Sequence, residues 1–217
     1  MISANVSGRD LGSVVRDIQD TVHESIELPE GYHIEYGGQF ESQQAASKTL
    51  MLTSIFAIFV IFLLLFRQFR NATQSLVILL NLPLALIGGV LVIWLTDGVV
   101  SIPAIIGFIS LFGIATRNGM LLIARYNDLR ASGMSLLDSV MTGSEDRLNP
   151  ILMTALTSAL ALIPLALGGE LPGNEIQSPM AKVILGGLFS STLLNGFIVP
   201  IMYLITNKNT KIEEEKL

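Results

Sequence analysis

A single charged side chain interrupts a long apolar stretch in the middle of the sequence. Arg117 lies within the run 99–124, and no other stretch long enough to span a bilayer contains an interior charge. A charge near the hydrocarbon centre costs about 3 kcal/mol on insertion scales, so it usually faces a bundle interior or an aqueous cavity. We therefore interpret Arg117 as part of a proton or ion pathway. The simpler alternative is that its long side chain extends to the cytoplasmic surface.

Small and polar residues accompany Arg117 on its own helix. Ser110, Gly113 and Arg117 follow one another at spacings of three and four, which places them on one helix face. A neighbouring helix can approach a face of small residues closely. Asn118 adjoins the charge and favours a buried polar site at this depth.

Hydroxyl-bearing residues form a stripe on the next apolar segment. Thr154, Thr157 and Ser158 share one helix face, and their hydroxyls could bond to Arg117 or to water. The simpler interpretation is that each hydroxyl bonds to its own backbone, as is common in membrane helices. Thr154 is the strongest candidate for a functional role, whereas Thr157, Ser158 and Asn195 are candidates for polar packing.

Residue patterns typical of metal sites and enzyme active sites are absent from the sequence. There is no cysteine, the two histidines have no clustered carboxylates, and the eight methionines include several at lipid depth, where a flexible apolar filler is expected. No Walker loop, zinc-protease signature or nucleophile elbow occurs. We therefore predict no resident metal, no cofactor, no enzymatic activity and no nucleic-acid partner.

The composition indicates what kind of protein positions these residues. Of the 217 residues, 51% are hydrophobic and only 14% are charged, and the mean hydropathy is +0.61. These values lie outside the range of soluble globular proteins and indicate a membrane protein. Apolar runs long enough to cross a hydrocarbon core of about 30 Å predict five transmembrane helices, at about 48–66, 72–96, 99–125, 148–169 and 182–206.

The placement of arginine and lysine predicts the orientation of these helices. Positive residues cluster after the first span, between the third and fourth, and after the fifth, while the alternate connections carry far fewer. By the positive-inside rule the N-terminal segment lies outside the cytoplasm and the tail at 208–217 is cytoplasmic. Ser135 and Asp138 have capping-box spacing and predict a short cytoplasmic surface helix near 135–143.

Residues 1–45 follow a different pattern from the apolar runs. Residues 2–7 and 32–36 alternate apolar and polar and predict strands, while 11–26 carry one apolar stripe and predict an amphipathic helix. The predicted fold is therefore an α-helical transmembrane bundle of five helices preceded by a small α/β segment of β-α-β order. About 40 residues are too few to bury a self-sufficient core, so we expect this segment to belong to a larger unit.

Five ordered blocks of the sequence resemble the resistance-nodulation-division (RND) efflux transporters, specifically the heavy-metal branch with the cobalt-zinc-cadmium and copper-silver pumps. The blocks are NVSGRDLG at 5–12, LPEGY at 28–32 with GGQFE at 37–41, GIATRNG at 113–119, RLNPILMTALT at 147–157 and VILGGL at 183–188. The resemblance implies a C-terminal fragment of a longer pump. Residues 1–45 would then end the periplasmic porter region, and 46–207 would form the last five of twelve membrane helices.

The resemblance also implies a function and partners. Pumps of this branch are homotrimers in the inner membrane, surrounded by lipid and joined to a periplasmic adaptor and an outer-membrane channel, and they exchange protons for exported metal cations. By position in its motif, Arg117 matches a basic residue that faces acidic residues of another helix, and Thr154 matches a nearby hydroxyl residue. Arg117, Asn118 and Thr154 are therefore assigned to the proton relay, with the acidic partners in the rest of the pump.

Two alternative functions are kept open. The same helices serve RND pumps for drugs or other organic compounds, because the residues that select the substrate would lie upstream. A non-transporting membrane fragment from a split gene would instead act as a packing partner. The upstream porter residues would distinguish a pump for organic compounds from a metal pump. The reading frame before Met1 would distinguish a split-gene fragment from part of a full pump.

Overall fold

The computed structural model describes residues 11–26, 29, 31, 34, 36–37, 39–96, 98, 100–168, 174 and 176–214. These residues form α1 (Leu11–Ser25), α2 (Gln39–Phe69), α3 (Ala72–Leu79), α4 (Asn81–Leu95), α5 (Ile102–Ala131), α6 (Leu136–Leu167) and α7 (Gln177–Glu214). The chain divides into two compact units, Met1–Leu52 and Thr53–Leu217, and the division falls within α2.

The prediction of a β-α-β segment at residues 1–45 is wrong. Its helix is present as α1, but no strand occurs among the residues that the structure describes. Ile34 and Tyr36 belong to neither a helix nor a strand, while 2–7 and the rest of the second predicted strand lie outside the described residues. An alternating pattern becomes a strand only where another strand accepts its backbone hydrogen bonds, and an isolated pair of strands is at best marginally stable.

Five helical segments are long and apolar enough to cross a membrane: Phe40–Phe69, Ala72–Leu95, Ile102–Ala131, Leu136–Leu167 and Gln177–Asn207. The second of them consists of α3 and α4, which are separated at Leu80. Pro83 explains this break, because proline has no N–H to bond the carbonyl four residues earlier and its ring crowds that carbonyl.

The short surface helix predicted near 135–143 is not a separate element. It is the beginning of α6, which runs without a break from Leu136 to Leu167 and is capped by the hydroxyl of Ser135, the acceptor of the Asp138 N–H at 3.2 Å. The charged residues between 143 and 149 resemble a loop in sequence. Contacts with α5 hold this stretch in the helix, since Gly143 packs directly on the Tyr126 ring.

Close backbone packing joins α7 to α4. A Cβ atom at Gly88 would overlap the carbonyl oxygen of Gly186, and a Cβ at Gly186 would overlap the carbonyl oxygen of Gly88. The Ser190 hydroxyl crosses the same seam and donates a hydrogen bond to the carbonyl of Leu84 at 3.1 Å. Small residues here allow the two helices to touch along their backbones, as is usual for membrane helices.

A polar network ties four helices together near the cytoplasmic ends predicted from the arginines. The Tyr203 hydroxyl donates to Oδ1 of Asn127 at 2.6 Å, and Nδ2 of Asn127 donates to Oε1 of Gln74 at 2.9 Å. The Tyr126 and Tyr203 rings lie 5.1 Å apart, and the Tyr126 and Ser144 hydroxyls are hydrogen-bonded at 2.7 Å. The network therefore connects α3, α5, α6 and α7.

Removing one hydroxyl from this network should lower the stability of the bundle. Tyr203→Phe keeps the ring contact with Tyr126 but removes the donor to Asn127, and losing one such bond costs about 1–2 kcal/mol. We expect a lower thermal unfolding midpoint for the purified protein in detergent. Tyr36→Phe, in the other unit, is the matched control and should leave the midpoint unchanged; equal midpoints for both variants would contradict the role of Tyr203.

Candidate functional site

Arg117 lies on the face of α5 that is turned toward α2. Together with Gly113, Thr116 and Met120 it lines a cavity of about 530 Å³ whose other wall belongs to α2. These α5 positions recur at spacings of three and four, so the helix presents them on one face. The Cα–Cα distances between α2 and α5 exceed 8 Å. The cavity is therefore a gap between two helices whose backbones stay apart.

The cavity carries positive charge. Its charged lining residues are Arg67 of α2 and Arg117 of α5, and Gln68 adds a neutral amide. Among the described residues no carboxylate forms an ion pair with Arg117, whereas Arg125, eight positions later, pairs with Asp146 at 2.8 Å from its Nε. The described chain likewise contains no group of three histidine, aspartate or glutamate side chains that could hold a metal ion. The cavity is thus suited to an anion.

Thr116 lines the same cavity and carries a buried hydroxyl. Its side chain is 9% exposed, and its Oγ1 has no hydrogen-bond partner among the described residues. The sequence patterns did not single out Thr116, because a hydroxyl in an apolar run is a much weaker signal than the charge beside it. The available signal was its spacing of three from Gly113, which places both residues on the face that carries Arg117.

Asn118 faces a different neighbour from Arg117. It lies seven positions after Leu111, whose side chain packs against Gly187 of α7, and this spacing of about two helical turns indicates that Asn118 is turned toward α7 as well. Asn118 is buried and does not line the cavity that contains Arg117. The two adjacent polar residues of the motif therefore serve two different interfaces of α5.

Asn195 lies at the level of Asn118. Leu111 of α5 packs on Gly187 of α7, and these two residues are 76 positions apart in sequence. Asn118 and Asn195 are 77 positions apart, each about two turns further along its helix, so they lie at nearly the same height. Asn195 is completely buried, and neither its amide nitrogen nor its amide oxygen has a hydrogen-bond partner in the described part of the chain. It borders an apolar cavity of about 620 Å³ between α6 and α7.

The hydroxyl stripe of α6 is not brought next to Arg117. Thr154 is exposed and donates to the carbonyl of Pro150 at 2.8 Å, and Thr157 is exposed and donates to the carbonyl of Met153. Ser158 is half-buried, and none of the three lines the cavity that contains Arg117. The two threonine hydroxyls thus bond to their own backbone, as in the simpler of the two sequence-based interpretations.

Comparison with known proteins identifies the family. The family model that describes the AcrB, AcrD and AcrF proteins matches residues 1–207. This chain belongs to the AcrB/AcrD/AcrF family. The match covers both the N-terminal unit and the membrane helices, and it confirms the resemblance to RND transporters that the five sequence blocks carried.

Individual relatives place the chain near the heavy-metal branch of this family. It is 37% identical to the cobalt-zinc-cadmium resistance protein CzcA of Cupriavidus metallidurans, over 99% of this chain and 20% of that protein. It is 40% identical to protein HelA of Legionella pneumophila, over 100% of this chain and 20% of that protein. A crystal structure of a heavy metal efflux pump matches with a TM-score of 0.83 and 34% identity, over 94% of this chain and 20% of that one. The chain therefore spans about a fifth of these relatives, and the resemblance to the heavy-metal branch is confirmed.

Proposed function

We propose that this chain is the C-terminal part of a proton-driven RND pump that exports heavy-metal cations across the cell envelope, and that it acts as a transporter rather than an enzyme. The observation that carries the proposal is Arg117, a cation in a membrane-spanning helix that lines a cavity without a described carboxylate. The relatives named for cobalt, zinc, cadmium and nickel resistance support a metal substrate.

The proposed mechanism uses a carboxylate from the rest of the pump. Two opposite charges about 4 Å apart attract by about 4 kcal/mol at an effective dielectric constant of about 20. An acidic side chain in the gap between α2 and α5 would hold these helices around Arg117, and its protonation would remove that attraction. Proton binding would then allow the helices to shift. Coupling of this shift to the porter region would export the metal.

Two further residues belong to the proposed relay. Asn118 would link the helical turn that holds Arg117 to α7, since its spacing of seven from Leu111 turns it toward that helix. Thr154 is included because the family resemblance assigns a hydroxyl at its position. Its hydroxyl donates to the carbonyl of Pro150, so its role in the relay would require that hydrogen bond to be exchanged for one to another group.

The proposed setting follows from the family and from charge placement. The pump is a homotrimer in the inner membrane, joined to a periplasmic adaptor and an outer-membrane channel. Its N-terminal segment is periplasmic and its C-terminus is cytoplasmic, because the arginine-rich connections of the sequence lie on the cytoplasmic side under the positive-inside rule.

Expression in a strain without metal exporters tests this proposal. The full-length protein that contains this segment should raise tolerance to Co²⁺, Zn²⁺ or Cd²⁺ several-fold, because it supplies the carboxylate that Arg117 lacks here. The 217-residue chain alone, produced in equal amount in the membrane, is the control and should give no increase. Unchanged metal tolerance together with raised tolerance to organic dyes would contradict a metal substrate and favour the alternative.

A further inference from the structure

We propose that Thr116 and Arg117 bind one carboxylate together. The Thr116 hydroxyl donates a hydrogen bond to a carboxylate oxygen that the Arg117 guanidinium also holds. The inference rests on the proposed function and adds to it a second binding residue, which neither the sequence patterns nor the family resemblance assigned.

The hydroxyl of Thr116 differs from other hydroxyls in these helices. Ser110, on the same helix, donates to the carbonyl of Ile106 at 3.0 Å, and Thr154 and Thr157 also bond to carbonyls four residues earlier. Such bonds are the default for serine and threonine in membrane helices. Thr116 makes none with the described residues although it is buried. Its buried hydroxyl thus has no bond to give up, and a rotation about χ1 would turn it toward a group that enters the cavity.

The space beside Thr116 is open to such a group. Gly113 lies one turn earlier on the same face, and a Cβ atom at Gly113 would meet nothing within 4 Å. Thr116, Gly113 and Arg117 line the cavity together. A ligand that entered between α2 and α5 would thus meet the guanidinium directly, and it would meet the Thr116 hydroxyl once that side chain had rotated toward the cavity.

The chemistry of the lining selects an anion of small size. The charged groups that face the cavity are Arg67 from α2 and Arg117 from α5, and no described lining residue is acidic. Guanidinium and hydroxyl groups both donate hydrogen bonds, and a carboxylate has two oxygens that accept them. Apolar side chains such as Leu64 and Met120 make up most of the remaining wall.

The depth of the site favours an aspartate or glutamate side chain over a lipid phosphate. Arg117 lies eight positions before Arg125, which is about 12 Å deeper along the helix. A lipid phosphate stays at the membrane surface, whereas a side chain on another helix can occupy this depth. The relatives contain about four-fifths of their length outside the matched segment, which is enough chain to supply that helix.

A hydrogen bond from Thr116 would set the proton affinity of the carboxylate. A donor stabilises the ionised form and lowers the pKa of the carboxyl group, in the same direction as the charge of Arg117. Removing the hydroxyl should therefore raise that pKa and move the pH dependence of transport to higher pH. A purely structural role for Thr116 would change the amount of folded pump and leave the pH profile in place.

The test compares variants of the full-length pump at Thr116, in proteoliposomes that contain a trapped pH-sensitive dye. Proton flux is started by Co²⁺ and measured across a range of pH. Thr116→Val, which keeps the shape and loses the hydroxyl, should shift the profile by about 1 pH unit to higher pH. Thr116→Ser keeps a hydroxyl and should not shift it. Thr157→Val is the matched control, since that hydroxyl bonds to its own backbone.

Each outcome decides the inference. A Thr116→Val profile that coincides with the wild-type profile, in a pump that still requires Arg117, overturns the role of Thr116 and leaves the proposed function intact. Activity that does not require Arg117 overturns the proposed function itself. Should Thr116→Val fail to reach the membrane, Thr116→Ala and Thr116→Ser form the pair, and equal profiles for these two overturn the inference.

Discussion

Replacing Arg117 with alanine is expected to abolish proton-coupled metal export by the full-length pump without reducing the amount of pump in the membrane. The substitution removes the cation that faces the cavity between α2 and α5. Losing an attraction of about 4 kcal/mol corresponds to about a thousandfold weaker coupling. Metal tolerance of cells and metal-driven proton flux in proteoliposomes should both fall to the level of a strain or vesicle without the pump.

Arg125 provides the matched control for this prediction. It lies on the same helix, and it pairs with Asp146 while both side chains remain partly exposed, at 35% and 41%. Exposed ion pairs contribute about 0–1 kcal/mol, so Arg125→Ala should transport at close to the wild-type rate. Undiminished proton flux in Arg117→Ala would refute the assignment of Arg117.

A bulky residue at Gly186 is expected to prevent the correct assembly of the membrane helices. In Gly186→Leu the new side chain would overlap the backbone carbonyl of Gly88 and the side chain of Val92 on α4. Backbone atoms of a helix cannot move aside as a flexible side chain can, so the expected cost is about 3 kcal/mol or more. The amount of full-length pump that elutes as a folded peak in size-exclusion chromatography should fall at least tenfold.

Gly196 tests whether this loss is specific to the seam between α4 and α7. It lies ten positions later on the same helix, and a Cβ atom there would meet nothing within 4 Å. Gly196→Leu should therefore fold in nearly normal amount. A normal folded peak for Gly186→Leu, or an equal loss for both variants, would show that the close approach of Gly186 and Gly88 does not govern assembly.

The membrane helices could be predicted from the sequence, and the β-α-β order of the N-terminal segment could not. Length and apolar composition decide on their own whether a helix can cross a bilayer, and five helices among the described residues meet both conditions. A strand depends on partners that are distant in sequence, so the alternation at 32–36 was a weaker signal, and the β-α-β prediction was wrong. The amphipathic stripe at 11–26 succeeded because a helix satisfies its own backbone.

Tertiary contacts explain one difference in helix boundaries, at the beginning of α6. The polar stretch after Gly143 contains several charged residues and precedes Pro150, so the sequence pattern favours a loop. In the structure Ser144 bonds to Tyr126 and Asp146 pairs with Arg125, and these contacts keep the stretch helical. Local sequence patterns do not contain this information.

The candidate site was only partly accessible to sequence reasoning. Hydropathy alone identified Arg117, because a lone charge in an apolar run is easily recognised. The surroundings of each neighbour required coordinates: Asn118 is buried and does not line the cavity that contains Arg117, and Thr154 bonds to its own backbone. Thr116 was missed because spacing predicts the face of a hydroxyl but not whether that hydroxyl bonds to the preceding turn.

The unbroken course of α6 has a mechanical consequence. Beyond its close contact with Tyr126 at Gly143, the helix continues for 24 residues to Leu167, a length of about 36 Å. With that contact as a fulcrum, a tilt of about 5° would displace the far end by about 3 Å by the same helix geometry. The end at Leu136 is only seven residues from the contact, about 10 Å, so the same tilt would displace that end by about 1 Å.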